Sequence, residues 1–423
     1  MQNAKLFYKI KIMNYKTTKL IFLTVLFFGI FGLARTSQAA TINAASCNQS
    51  DMQMAINASS DGDTIIIPAG NCVWTAYVIV PNTKGLTIQG AGIGQTTIRD
   101  NMATHGYQQA LFFVQVTSGK FTRITGMTLD VNNQSTTNGV IYINGNDGGQ
   151  NFRVDHIKFI NYGNGRGIKI DGYTYGLVDN NIFIGGGHSI DSFGDGSASW
   201  LRPASLGTDN AVYIENNTFD FSVSGRSDGV TDAYGGARYV FRYNNVIGTN
   251  IGHHGNDSGN YRSPITFEIY NNSFVNNSPA NIFTWGNFRG GTGVIFNNII
   301  SAGTKTYNSF AILHDYRSCT YFEGMHDGRD GSAFLSDSTA NFGAGLQGVL
   351  TNGLYVYNLT AGSYCAITSH TDSGPATAVC TLHGGTRQTW KNGDYYGIHY
   401  IQAKARIFNL YLSPSLNRPN RGL

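Results

Sequence analysis

The sequence predicts an all-β chain, a right-handed parallel β-helix with a short N-terminal capping helix and a small inserted antiparallel β-module. Three observations carry that prediction. The composition is poor in charge and rich in Gly and aromatic residues, one short phrase recurs along the chain, and its stacked copies align a column of asparagines. Charged residues are 13% of the 423, about half the usual share, against 53 Gly, 24 Tyr and 25 Phe. This balance favours strands and frequent turns over helix bundles, and it is too apolar for disorder.

Residues 1–40 read as a bacterial-type secretory signal peptide. Lys5, Lys9, Lys11, Lys16 and Lys19 precede an apolar run from Leu20 to Leu33, and "ARTSQAA" offers small residues for cleavage near Ala39 or Ala40. The run is short for a membrane span, so no stable span is expected after its removal. A secreted, cell-surface or periplasmic location follows. Loss of those five lysines and Arg35 turns the formal charge of +4 into about −2, because no acid precedes Asp51. That excludes the basic stripe a nucleic-acid partner requires. Of the five cysteines, Cys47–Cys72 and Cys365–Cys380 are the plausible bridges in an oxidising compartment, with Cys319 left over. No CxxC spacing points to zinc.

Residues 41–327 are assigned to the β-helix. "SDMQMAIN" places Ser50 and Gln53 in capping-box spacing with Met52, Ala55 and Ile56 on one face, which predicts a short helix at 51–59 over the first coil. A turn and a buried strand follow in "DGDTIIIPAG". The repeated phrase then runs "VDHIKF", "VDNNIF", "IENNTF", "FRYNNV", "IYNNSF" and "IFNNII", with its anchors at Phe159, Phe183, Phe219, Val246, Phe274 and Ile300. "ITGMTL" and "IFNLYL" extend the series at either end. Asn181, Asn217, Asn244, Asn272 and Asn298 form one column, and the amide, both donor and acceptor, suits an asparagine ladder at a recurring bend. Apolar and polar positions alternate before the anchor, as in a strand. Intervals of 24 to 36 residues without a helical segment fit solenoid coils and exclude βαβ units. Residues 328–398 break the phrase with short strands and Gly/Asp/Asn turns, an inserted antiparallel β-module. Residues 399–423 return to the β-helix and stop without a visible cap, as a truncated or unusually short end.

"MQMAINASSDGDTIIIPAGNCVW", followed by "KGLTIQGAG", resembles the opening of pectate-lyase-like β-helix proteins in the polysaccharide-lyase-like superfamily. The resemblance spans roughly 45–325. It implies the fold, and a carbohydrate ligand among lyases, hydrolases, epimerases and adhesins that share it.

Chemistry is expected on loops and outward strand positions. The longest interval holds an extra loop, 185–210, with His188, Asp191, Asp195, Trp200, Arg202 and Asp209. Trp200, Arg202, Tyr234 and Tyr270 are the expected sugar contacts. Asp191, Asp195, Asp209, Asp228 and Asp232 can hold Ca²⁺, a hard cation that takes oxygen ligands, although an ordinary polar loop explains them equally. Arg238 and Arg242 point outward together. Arg242 falls between Glu215 and Tyr270, either in a cross-strand ion pair or as a site for a uronate carboxylate. Arg238, Arg242, His254, Arg262 and Glu268 come from two adjacent coils and are expected to share one groove. A polysaccharide lyase needs such a set, to neutralise the uronate, remove its C5 proton and protonate the leaving oxygen. "RSP" is similar to the start of the pectate lyase signature R-x-P-x-x-R. It matches at Arg262 and Pro264, with Phe267 in place of the last Arg, and implies Arg262 as base. The companion W-I-D-H phrase is missing; "VDHIKF" shares Asp155 and His156 only. A uronate-polymer lyase is therefore the favoured reading. An inverting glycoside hydrolase using Asp228 and Asp232 and a non-catalytic glycan-binding surface protein are the alternatives.

Overall fold

The computed structural model describes residues 39–423 except 107–108, 135–137, 162, 164, 201, 203–205, 225–228, 256–261, 283, 308, 314–321, 343–353, 400–403 and 408–423. It is a parallel β-solenoid of about nine coils. Each full coil contributes one strand to each of three parallel ladders. The first ladder runs through Thr64–Ile67, Thr87–Gly90, Val212–Glu215, Arg238–Arg242, Thr266–Tyr270 and Thr292–Phe296. The second follows the asparagine bend and includes Ile182–Ile184, Thr218–Asp220, Asn245–Ile247 and Ser273–Asn276. The third includes 168–171, Ile190–Phe193 and Thr231–Tyr234, and a separate three-stranded parallel sheet, Ile251–Gly252, Thr284–Arg289 and Ser309–Leu313, follows it.

Strand alternation builds the core. Tyr239, Phe241, Phe267 and Ile269 point inward and are buried, so their sequence neighbours face outward. Anchor rings stack up the axis. Phe159 and Phe183 lie 4.6 Å apart at 1°, and Phe183 and Phe219 lie 5.0 Å apart at 13°. Parallel strands repeat at about this spacing, so identical positions meet face to face.

The asparagine ladder is present. Nδ2 of Asn181, Asn217, Asn244 and Asn272 donates to Oδ1 of the next asparagine at 2.9 to 3.1 Å. Each Nδ2 also donates to a carbonyl one coil below, as Asn217 does to Val178 at 2.9 Å. The left-handed backbone does not fall on the ladder residues themselves. It falls one place earlier, on His156, Asn180, Asn216, Tyr243, Asn271 and Asn297, at φ of 51 to 57°. The ladder amides are thereby turned inward, where they satisfy backbone groups that burial would otherwise orphan.

The capping helix spans Gln49–Ala58 and buries Met52, Ala55 and Ile56. Ser50 and Gln53 form no capping box. Asn48 is the N-cap, and Gln53 instead pairs with the backbone of Ile79, accepting from its N–H at 2.8 Å and donating to its carbonyl at 3.2 Å. The helix thus closes the exposed end of a ladder, which competes successfully with local capping. Both expected disulfides form, Cys47–Cys72 and Cys365–Cys380. Cys319 lies outside the described residues.

The insert builds antiparallel pairs with their own core around Leu335, Val356, Ile367, Trp390 and Ile398. Afterwards Lys404–Ile407 pairs in parallel with Thr292–Phe296 and resumes the first ladder. No helix among the described residues is long and apolar enough to cross a membrane.

Candidate active site

The third ladder carries an outward row of polar residues. Tyr142, Lys169, Asp191 and Asp232 occupy one register column on successive coils. Two carboxylates in register on neighbouring strands repel, so such a pair needs nearby cations. Two lie close by. Arg166 contacts Asp191, and the Lys169 ammonium sits 4.9 Å from the Tyr142 ring and 5.0 Å from the Phe193 ring. Nδ1 of His188 lies 3.3 Å from Asp191 and 3.7 Å from Asp232. Nδ1 of His254 is hydrogen-bonded to Asp232.

Asp191 and Asp232 are buried at 0% and 4% exposure, a depth at which carboxylates are normally paired. Burial works to raise the Asp232 carboxyl. The bond from His254 and the charges of His254, His188 and Arg166 outweigh that effect and hold it below the usual carboxylate range.

Above this row lies a polar groove of about 330 Å³, lined by His188, Asp232, Asn250, His254, Asn287 and Arg289 among others. Gly252 forms part of its floor, where an added Cβ would come within 3.2 Å of the Asn287 carbonyl oxygen. Beside His254, Tyr234 meets its ring edge-on at 5.5 Å and the Arg262 guanidinium at 4.9 Å. Burial raises the Tyr234 phenol and keeps it protonated.

No family model matches the chain, and no curated protein matches it by sequence. Several solved structures are similar to it. ORF18 of Geobacillus virus E2 is 13% identical, with a TM-score of 0.32, over 84% of this chain and 76% of that one. An alginate lyase from Paenibacillus sp. str. FPU-7 is 13% identical, with a TM-score of 0.36, over 64% and 99%. The catalytic domain of a GH87 α-1,3-glucanase, in complex with nigerose, is 12% identical, with a TM-score of 0.30, over 66% and 57%.

The residues singled out from sequence fall into separate places. His254 and Asp232 line the groove just described, Asp191 is the register partner of Asp232, and Tyr234 lies against His254 and Arg262. Arg242 lies on the first ladder, bonded to Glu215 and, at 3.0 Å, to the Tyr270 hydroxyl. Burial lowers its pKa, but Tyr270 and Glu215 outweigh this and raise it, so Arg242 is the centre of a cross-strand ion pair. It continues a rack in which Arg123 grips Asp155 at 2.7 Å and Arg153 grips Asp179 at 2.8 and 2.7 Å. Arg238 points outward yet is buried, donating to the carbonyls of Ser199 and Arg202 at 3.2 and 3.3 Å; it anchors the extra loop. Glu268 accepts the Gly207 N–H at 2.6 Å and tethers the same loop. Asp195 is engaged by Arg202 and Ser199. Asp209 sits in an exposed turn, where its carbonyl accepts from Gln150. Trp200 ends a short helical turn, Ser197–Trp200, with its side chain outside the described set, and Asp228 is outside it entirely.

His253 departs from its neighbour. It turns into the core against Phe267 and Phe288, with the Tyr239 hydroxyl 3.0 Å from Nδ1. Burial pushes its pKa down to about 3, so it stays neutral.

His188, Asp191 and Asp232 offer ligand atoms within 4.8 Å of one another, close enough to share a cation. The donor set is two carboxylates and one imidazole, poorer in oxygen than Ca²⁺ prefers. Arg166 already brings a positive charge to Asp191.

Proposed function

We propose that this chain is a secreted carbohydrate-active protein that cleaves a uronate-containing polysaccharide by β-elimination. The observation that carries the reading is the His254–Asp232 pair at the edge of a polar groove that also holds Arg289. Asp232 fixes the tautomer with the proton on Nδ1 and leaves Nε2 as the base. Arg289 and Asn287 meet the uronate carboxylate, which acidifies the C5 proton. His254 Nε2 takes that proton, the C5–H electrons form the C4–C5 double bond, and the C4–O bond breaks. Tyr234, kept protonated by burial, gives its proton to the leaving oxygen. Arg166 and Lys169 supply the positive charge around the two buried carboxylates.

Inverting glycoside hydrolysis suits the geometry less well. It needs carboxyl groups about 6.5–9.5 Å apart, to admit water. Asp191 and Asp232 place oxygens within 4.8 Å, and Asp228, the partner expected for Asp232 in that reading, lies outside the described residues.

The test is incubation of the mature protein with a panel of uronate polymers, following the ultraviolet absorbance of unsaturated product. A rise that His254→Ala abolishes supports elimination. New reducing ends without that absorbance identify a hydrolase. Retention on a glycan column without either product identifies a non-catalytic binding protein.

A further inference from the structure

The inserted module brings a second cleft against the coils. Tyr357 and Tyr364 are register partners, and Tyr355 pairs with Ala366 in the same two strands. The Tyr364 ring lies 6.0 Å from Tyr355 and 5.8 Å from Tyr357, each at 29°. Tyr355 packs on Ile265 of the coil. Across from these rings stands Arg202, whose guanidinium grips Asp195 at 2.7 and 2.6 Å and covers the Tyr173 ring at 3.7 Å. The space between them is about 170 Å³, rimmed by Thr368, Thr381 and His383.

Both walls grow from residues that flank the groove of His254. Asp195 follows Phe193, which packs on Tyr234, and Ile265 follows Arg262, which lies over Tyr234. The chemistry of the cleft differs from that of the groove. Asp195 already neutralises Arg202, so no cation is left over for a uronate carboxylate. The cleft offers the half-buried ring of Tyr364, backed by the buried Tyr355 and edged by two hydroxyls and an imidazole. That pattern complements the C–H face of a pyranose ring and its hydroxyl rim, as aromatic rings with one polar edge do at recognition surfaces.

We propose that this cleft is a second sugar subsite, which holds the polysaccharide chain by the face of a ring away from the bond that is cleaved. The proposal rests on the carbohydrate reading of the groove. It assigns to the inserted module the retention of long chains.

Affinity electrophoresis of the full mature protein in gels containing polygalacturonate or alginate tests it without relying on turnover. Four proteins are compared: wild type, Tyr364→Ala, Thr381→Trp and Tyr243→Asn. Thr381 is exposed at the rim, so the Trp fills the cleft without disturbing the tyrosine packing. Tyr243 is an exposed tyrosine at the bend that follows the first-ladder strand Arg238–Arg242, a column that otherwise favours Asn. Tyr364→Ala and Thr381→Trp are expected to weaken retardation roughly threefold to tenfold, while Tyr243→Asn behaves as wild type. Where turnover is measurable, KM for polymer rises with kcat unchanged. Wild-type retardation by both cleft variants overturns the subsite and leaves the groove reading standing. A wild-type protein that no polymer retards overturns the carbohydrate reading and the subsite with it.

Discussion

Asp232 holds the imidazole of His254 from the neighbouring element of the third ladder, and a buried carboxylate so placed dictates which ring nitrogen carries the proton. Removing the base by His254→Ala should lower elimination by about 10²- to 10⁴-fold. Asp232→Asn should also lower it, because the amide no longer enforces the tautomer. Both are read from initial rates of unsaturated-product formation. Wild-type rates in His254→Ala would remove the imidazole from the chemistry.

The asparagine ladder makes a stability prediction. Asn217→Ala deletes the acceptor for the Asn181 amide and backbone N–H, and the donor to the Val178 carbonyl. Buried groups left unpaired cost about 1–3 kcal/mol each, so a loss of about 2–4 kcal/mol is expected in denaturant melts. An exposed neighbour such as Asn216→Gly, already in left-handed backbone, should cost far less.

Acid should destabilise the fold through two named groups. Burial holds His253 at about 3, below its ordinary value near 6.5, so the unfolded chain binds a proton that the folded one refuses. Stability from this group is full above pH of about 6.5 and falls steadily toward pH of about 3. Burial works to raise the Asp155 carboxyl, but the bonds from Arg123 and His156 and the charges of Arg123 and Arg153 outweigh it and lower it. Its contribution is present above the ordinary carboxylate range and is lost at still lower pH, as the folded-state group titrates. Melting temperatures measured from pH 7 downward should show the His253 slope first. His253→Gln should flatten that slope, and an unchanged profile would show that its burial does not govern it.

Reduction should loosen the module locally. Cys365–Cys380 closes a loop with a sequence separation of 15, for which chain entropy alone gives about 3 kcal/mol. Proteolysis with and without reductant should show new cuts within 355–380 before any in the coils.

The fold was legible because it is periodic. One phrase aligned on its anchors exposed the coil length, the ladder and the aromatic core together. The capping box was misread, because Ser50 and Gln53 satisfy a local rule that an open strand end at Ile79 overrides. The site was only half legible. Arg238 and Arg242 share a strand with alternating parity, but parity does not reveal that the extra loop buries Arg238 or that Glu215 already occupies Arg242. Arg166, Lys169, Asn250, Asn287 and Arg289 went unmarked. A signal for two of the groove's neighbours existed: "IYIN", "IKID", "IDSF" and "TDAY" are a second repeated phrase, and stacking them aligns Tyr142, Lys169, Asp191 and Asp232. His188, Asn250, Asn287 and Arg289 lie outside that phrase or at shifted positions, so only coordinates bring them together.

The strands that open and close the insert, Phe322–Met325 and Tyr395–His399, are antiparallel partners. The excursion from Phe322 to Ile398 therefore departs and returns at nearly the same place, and the coil resumes at Lys404–Ile407, parallel to Thr292–Phe296, as though the module were absent. Long excursions ordinarily slow assembly, since their ends must find each other by diffusion. Here the module's own folding brings those ends together first, so the final coil waits on the module, and a chain whose module misfolds should be left with an open, aggregation-prone rung at Thr292–Phe296.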